Sequence, residues 1–275
     1  MTDRYAVIGN PVAHSRSPAI HARFAEQTGQ DLVYERLLAP LDGFAAAVDA
    51  FRAAGGRGLN VTVPFKLDAF AYATRRSERA AAAGAVNTLV FDSEGVFGDN
   101  TDGVGMVRDI SQRLGFGLAN ARVLLLGAGG AARGVVLPLL AAGIAGLTIA
   151  NRTEAKALEL AALAGDARAT GCGFDALADG PPFDLIVNAT STGLSDEAPA
   201  VPDSVHAGAA LGYDMMYGPR PTAFMRRASE HGCARVADGL GMLVEQAAES
   251  FFLWRGVRPQ TDPVYRALRE ELRAS

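Results

Sequence analysis

Cysteine is nearly missing from this chain. Cys172 and Cys233 are the only two among 275 residues, with no CxxC spacing and no histidine arrangement that completes a zinc set. That excludes a disulfide framework, gives no metal site, and fits a reducing, cytoplasmic compartment. A basic excess is missing too: 26 Lys and Arg face 30 Asp and Glu, for a formal net charge of −4, and no basic run occurs. The electrostatic footprint of a phosphate-backbone binder is absent, so nucleic acid is not an expected partner. The longest uncharged stretch, 134–150, is slightly short to span a bilayer and is broken by Pro138, Gly143 and Gly146. It reads as a buried helix, a turn and a strand, with no membrane partner. Near the N-terminus, Asp3 and Arg4 precede a very short apolar run ending at Gly9, which suits a first β-strand and not the apolar region of a signal peptide. Internal repeats and low-complexity segments are lacking, and alanine runs such as 80–83 are ordinary helix formers.

What is present is a globular balance, 49% hydrophobic and 20% charged, in a chain long enough for two domains that each bury a core. Short apolar runs alternate with helical patterns, the signature of parallel sheets covered by helices, and predict an α/β fold. Strands are expected over 5–8, 32–37, 58–61 and 88–91, with helices over 20–27, 44–54 and 67–73. A second series of strands is expected over 122–126, 147–150, 185–188, 210–214 and 234–236. Between the series, Val104, Val107, Ile110 and Leu114 recur at helical spacing within 103–114, and the domain boundary is expected around that helix. Two helices, over 242–254 and 263–273, end the pattern. The reading is an N-terminal α/β domain over 1–103, completed by 240–275, and a Rossmann-like doubly wound domain over 104–239.

In ARVLLLGAGGAARGVVLPLL a buried strand runs into a glycine-rich turn and then a helix, with the pattern Gly127-x-Gly129-x-x-Ala132. Gly127 permits the tight turn, Gly129 lets the backbone approach a pyrophosphate, and Ala132 allows close helix–strand packing. The helix N-terminus then faces the anion. The next strand ends at Asn151-Arg152-Thr153, about where an Asp or Glu would hold the ribose hydroxyls of NAD. No acid stands there. Arg152, with Lys156 one turn on, offers donors to a ribose 2′-phosphate, so NADP is the expected cofactor. Thr153 also reads as a helix cap.

The other candidate groups lie in the first series. In GNPVAHSRSP, Ser15 and Ser17 precede Pro18, and Ser-Pro opening a helical run reads as N-cap followed by first helical residue. A helix N-terminus with two hydroxyls beside it also suits a small carboxylate. Lys66 follows the strand of GLNVTVPFK, Asn87 stands at a strand entrance in GAVNTLV, and Asp102 precedes a helix in GDNTDGVGM. Taken singly, Lys66 reads as a solvated side chain and Asp102 as an N-cap. If they converge, they supply the proton donor and its partner that hydride transfer between hydroxyl and ketone needs within about 3 Å of the reacting oxygen.

Together these segments resemble one family, shikimate dehydrogenase. The likeness runs through GNPVAHSRSP, NVTVPFK, AGAVNT, DNTDGVG, GAGGAAR, NRT, NATSTG, YDMMYGPRPTAF and DGLGMLVEQAA, in the family's order and over nearly the whole chain. It implies a substrate domain followed by an NADP-binding domain, and reversible reduction of 3-dehydroshikimate by NADPH. It implies Lys66 and Asp102 as the catalytic pair, Ser15 and Ser17 on the substrate carboxylate, and Thr62, Asn87, Tyr217 and Gln246 around the ring and its hydroxyls. On the cofactor side it implies Gly127, Ala128, Gly129, Gly130 and Ala131 at the pyrophosphate. Asn151, Arg152, Thr153 and Lys156 fall at the 2′-phosphate end, Met215 and Gly239 near the nicotinamide, and Glu78 as a further cofactor contact. Two positions depart from the family's habit: Ala22, where Asn is usual, and Leu194, where Met commonly follows NATSxG. Quinate use with NAD, a catalytically silent shikimate-binding regulatory module and a folate dehydrogenase of similar architecture are the competing readings. Monomer and homodimer stay open.

Overall fold

Residues 5–8 form a continuous apolar run buried at every position, which suits a central strand covered on both faces. In the computed structural model, which describes residues 2–178, 180–190, 192 and 196–274, they are the core of β1 (Asp3–Gly9). The chain continues as α1 (Ser17–Thr28), β2 (Leu32–Leu38), α2 (Phe44–Ala53), β3 (Gly56–Val61), α3 (Lys66–Tyr72), β4 (Arg75–Arg76) and α4 (Glu78–Ala83). Then come β5 (Thr88–Asp92), β6 (Gly95–Asp99) and α5 (Asp102–Arg108). The sheet order is β2-β1-β3-β5-β6-β4. β1 runs parallel to β2 and β3, whereas β5 is antiparallel to both β3 and β6.

This sheet is therefore mixed, not parallel throughout as the alternation suggested. The reason is local. Between β5 and β6, Asp92 Oδ1 accepts the Glu94 N–H at 2.9 Å and Gly95 takes φ +122°; so short a turn can join only antiparallel strands, because a parallel pair needs a long crossover. The helix expected over 103–114 begins one residue earlier and ends in a widened turn, Asp109–Arg113.

The second series is β7 (Arg122–Leu126), α6 (Gly130–Ala141), β8 (Gly146–Asn151), α7 (Glu154–Ala164), β9 (Ala169–Gly173), β10 (Leu185–Asn188) and β11 (Leu211–Asp214). It is followed by α8 (Ala223–Glu230), β12 (Val236–Asp238), α9 (Leu240–Arg255) and α10 (Asp262–Ala274). All neighbours pair in parallel, in the order β12-β11-β10-β7-β8-β9. This is a doubly wound sheet whose order reverses beside β7, where such folds collect ligands outside the carboxyl ends of the strands. Alternation along the strands feeds two cores. Val123, Leu125, Leu185, Val187 and Tyr213 face one side; Leu124, Leu126 and Ile186 face the other, with Phe224, as a period of two requires.

The described residues divide into two compact units. One holds the chain up to Gly105 with Val244–Tyr265, and the other holds Met106–Leu243 with the residues from Arg266 onward. Of the stretch expected to complete the first domain, Val244–Tyr265 groups with the first unit and the residues from Arg266 onward with the second. There Arg269 pairs with Asp238, and its guanidinium donates to Gly218 O at 3.2 Å. Among the described residues no helix is long and apolar enough to cross a membrane, and no group of His, Cys, Asp and Glu is arranged to hold a metal ion.

Candidate active site

Lys66 is delivered by the turn that ends β3. The Thr62 N–H donates to Ile8 O and the Phe65 N–H to Thr62 O, both at 3.0 Å, so the chain turns sharply and Lys66 becomes the first residue of α3. Its Nζ donates to Asp102 Oδ2 at 2.6 Å, with the lysine side chain 35% exposed and the aspartate 16%. Asp102 is not the helix cap that its position suggested. It lies inside the first turn of α5, and the preceding Asn100 takes its backbone N–H on Oδ1 at 3.2 Å. Both carboxylate oxygens are left for side chains, and the second, Oδ1, accepts Asn87 Nδ2 at 2.9 Å.

Gln246 on α9 joins the same group. Asn87 Nδ2 and Thr101 Oγ1 approach its Oε1 at 3.5 and 3.4 Å. Gly105 makes this approach possible, since a Cβ there would stand 2.7 Å from Gln246 N. The structure thus brings Lys66, Asn87, Asp102 and Gln246 into one hydrogen-bonded cluster within the first unit. Sequence reasoning missed the buried Asn60, Thr88, Thr101 and Ser250 behind it. Their only signal was adjacency, Thr88 and Thr101 being chain neighbours of Asn87 and Asp102 and Ser250 sharing a helix face with Gln246 by i,i+4 spacing.

Ser15 and Ser17 flank the start of α1, but not as a cap and first residue. Arg16 is the N-cap and makes no side-chain cap bond, Ser17 is already helical, and the Ser15 hydroxyl accepts the Ser17 N–H at 3.3 Å. The Arg36 guanidinium donates twice to Ser15 O, at 3.2 and 2.7 Å, and pins this loop. Ser17 is buried and hydrogen-bonds the Tyr34 phenol, which burial nevertheless pushes well above the ordinary tyrosine range. Thr62 lies at the end of β3, its Cγ2 only 2.5 Å from where a Cβ on Gly9 would sit. Tyr217 belongs to the second unit and is 36% exposed.

In the second unit, β7 ends at Leu126, and Gly127 next to it takes φ +108° and would carry a Cβ 3.0 Å from Ala189 O. The next turn and the start of α6 open a cavity of about 580 Å³. Gly127, Ala128, Gly129, Gly130, Ala131, Asn151, Arg152, Thr153 and Lys156 line it, as do Phe174, Ala189, Thr190, Thr192 and the segment 197–200. Apart from the adjoining backbone, no described atom lies within 4 Å of where a Cβ would stand on Gly129 or Gly130, so the backbone there is open to a bulky anion. Thr153 is the N-cap of α7 but makes no capping bond with its side chain; Asn151 Nδ2 donates to Thr153 O at 2.9 Å instead. The walls from β9 and β10 were not foreseen, because only the strand order carries them beside the glycine turn. Ser191 and Gly193 of NATSTG, and Leu194, lie outside the described residues. Met215 and Gly239 touch each other, with Met215 O 2.2 Å from a Cβ built on Gly239, but neither lines this cavity. Nor does Glu78, in the first turn of α4.

Three family profiles match in chain order: the shikimate dehydrogenase substrate binding domain over residues 7–89, shikimate / quinate 5-dehydrogenase over 109–195, and the shikimate 5′-dehydrogenase C-terminal domain over 239–269. The chain is 62% identical over 274 residues to the shikimate dehydrogenase (NADP(+)) of Aromatoleum aromaticum, covering 98% of each chain. It belongs to the shikimate dehydrogenase family. Among solved structures it is similar to an Ael1 enzyme from Pseudomonas putida, at 51% identity and TM-score 0.95, covering 97% of this chain and 98% of that one. The shikimate 5-dehydrogenase of Thermus thermophilus, solved with NADP(H) and shikimate, is similar at 36% identity and TM-score 0.87, covering 98% of this family member and 100% of the other chain.

Proposed function

We propose that this protein is an NADP-dependent shikimate dehydrogenase, reversibly reducing 3-dehydroshikimate to shikimate on the route to chorismate and the aromatic amino acids. The observation that carries the reading is the Lys66–Asp102 pair at 2.6 Å with Asn87 on the second carboxylate oxygen, in a chain that matches the NADP-dependent relatives over its whole length.

The cavity fits NADP by its own chemistry. It has backbone open at Gly129 and Gly130, the N-terminus of a helix of 12 residues, two cations at Arg152 and Lys156, and no acid at 151–153. These groups suit a pyrophosphate and a ribose 2′-phosphate. Met215 and Gly239 are assigned to the nicotinamide side and Glu78 to a further cofactor contact. Bound NADPH supplies the hydride.

In reduction, Lys66 Nζ gives a proton to the carbonyl oxygen while the ketone carbon at ring position 3 receives the hydride; in oxidation, Lys66 takes the hydroxyl proton back. The same ammonium stabilises the charge developing on that oxygen. Asp102 holds it in place by a charge-assisted hydrogen bond. Ser15 and Ser17 take the substrate carboxylate by α1, and Thr62, Asn87, Gln246 and Tyr217 hold the ring and its hydroxyls. A cytoplasmic setting is supported by the free thiols of Cys172 and Cys233.

One plate tests substrate and cofactor together: NADP⁺ reduction with shikimate, run beside quinate and beside NAD⁺. Turnover is expected with shikimate and NADP⁺ well above every other pairing. Preference for quinate with NAD⁺ moves the assignment to that activity, and no turnover in any well overturns the enzymatic reading.

A further inference from the structure

Behind the Lys66–Asp102 pair lies a row of buried hydroxyls and amides that proton transfer itself does not use. The Thr101 backbone N–H can only donate, and it donates to Asn87 Oδ1 at 2.8 Å. The Asn87 amide therefore cannot flip, and its Nδ2 must face Asp102 Oδ1. Thr88 Oγ1 donates its single proton to the same Asn87 Oδ1 at 3.0 Å. Ser250 Oγ lies 2.8 Å from Thr88 Oγ1 and has a second partner in Gln246 O, to which it donates at 3.0 Å. Asn60 Nδ2 in turn donates to Ser250 Oγ at 2.9 Å and approaches Thr88 Oγ1 at 3.2 Å.

A continuous hydrogen-bonded row thus runs from Asn60 through Ser250 and Thr88 to Asn87. At the far end of the row, Asn60 Oδ1 accepts the Tyr34 hydroxyl at 2.7 Å and lies 3.1 Å from His21 Nε2. Thr88 and Ser250 are each 0% exposed. No solvent reaches them to replace a lost hydroxyl, and buried polar groups cost stability unless satisfied. Buried hydrogen bonds linked in this way strengthen one another.

We propose that Thr88 and Ser250 are positioning residues of the dehydrogenase reaction. The hydroxyl pair holds the Asn87 amide in the orientation that fixes the Asp102 carboxylate and, through it, the Lys66 ammonium. The proposal rests on the reading of Lys66 and Asp102 as the reacting pair.

The experiment is steady-state kinetics of Thr88→Val, Ser250→Ala and the double variant, with Thr88→Ser as the conservative change, Lys66→Ala as a separate reference, and thermal unfolding to verify folding. The double variant is expected to lose about tenfold to a hundredfold in kcat, the scale of a misplacement of about 1 Å. KM for NADP⁺ should hold within about threefold, since the cofactor cavity takes no residue from this row. Thr88→Ser should keep most of the turnover that Thr88→Val loses. Thr88→Val alone preserves shape and carries the test should the double variant fail to fold. Undiminished kcat in the folded variants beside an inactive Lys66→Ala overturns this proposal alone. A loss that Thr88→Ser shares equally makes the hydroxyls packing groups and also overturns it. Full turnover in Lys66→Ala overturns the reading of the pair and this proposal with it.

Discussion

Lys66 donates to Asp102 at 2.6 Å from an element that begins with the lysine itself, while the aspartate sits in the first turn of another helix, relieved of capping by Asn100. The two side chains are thus held by separate elements and meet at this contact. Lys66→Ala is expected to lower kcat by about 10² to 10⁴, the usual share of a general acid–base group. NADPH binding, followed by fluorescence titration, should be nearly unchanged, because the glycine cavity draws nothing from Lys66. Near-normal turnover in this variant would sink the assignment.

Much of this was legible beforehand, and what was not has physical causes. β1, β7 and β10 are apolar runs buried on both faces, and such runs announce themselves within a residue or two. β9 reads ATGCG, with no apolar run to mark it, and β4 is two arginines. Pairing alone makes those segments strands. The glycine turn and the Arg152–Lys156 side of the cavity were visible because they follow one another along the chain. Phe174 and Thr190 were not, since they reach the cavity only through the strand order. The hydroxyls of Thr88 and Ser250 were invisible for a similar reason: 162 positions separate two atoms that touch.

Gly105 is the second test. A Cβ on it would stand 2.7 Å from Gln246 N and 2.8 Å from Gln246 Cβ, and neither is the far end of a flexible side chain. Gly105→Ala must therefore push Gln246 away from Asn87. The expected cost is about 1–3 kcal/mol of stability, as for other overpacked sites, with a raised KM for shikimate and little change in KM for NADP⁺. Urea unfolding and steady-state kinetics measure the two halves separately. Wild-type values in both would show that the close approach is relaxed easily.

Arg152 and Lys156, both exposed at the cavity wall, are the residues to which we assign the choice of NADP. Hydrogen bonds to a charged group are worth about 1.5–3 kcal/mol each, less where solvent screens them. Removing both with Arg152→Ala/Lys156→Ala should raise KM for NADPH about tenfold to a hundredfold while leaving KM for NADH almost unmoved, because only NADPH carries the 2′-phosphate. An equal rise for both cofactors would place these cations elsewhere on the dinucleotide.

The last prediction concerns acid. His21 and His206 are 0% and 1% exposed. Burial lowers His21 to about 3, against a hydrogen bond with Asn60 that works the other way. Burial, with the positive charges of Arg227 and His231, lowers His206 to about 4. Unfolded, both titrate near 6.5. Between those values the unfolded chain binds protons that the folded chain refuses, so unfolding takes up protons and acid drives it. The stability contributed by keeping these imidazoles neutral is complete above about pH 6.5 and is lost as pH falls toward 4, at up to about 1.4 kcal/mol per pH unit for each histidine. Carboxylates hardly disturb this window. Burial works to raise Glu249, but Arg258 and Arg79 hold it below the usual glutamate range, so its loss comes at lower pH. Asp214, pushed up by burial, acts in the opposite sense. Urea unfolding at about pH 7, 6 and 5 should show stability falling, and His206→Leu should remove about half of the slope. A flat profile in the wild-type protein would mean that neither histidine stays neutral in the fold.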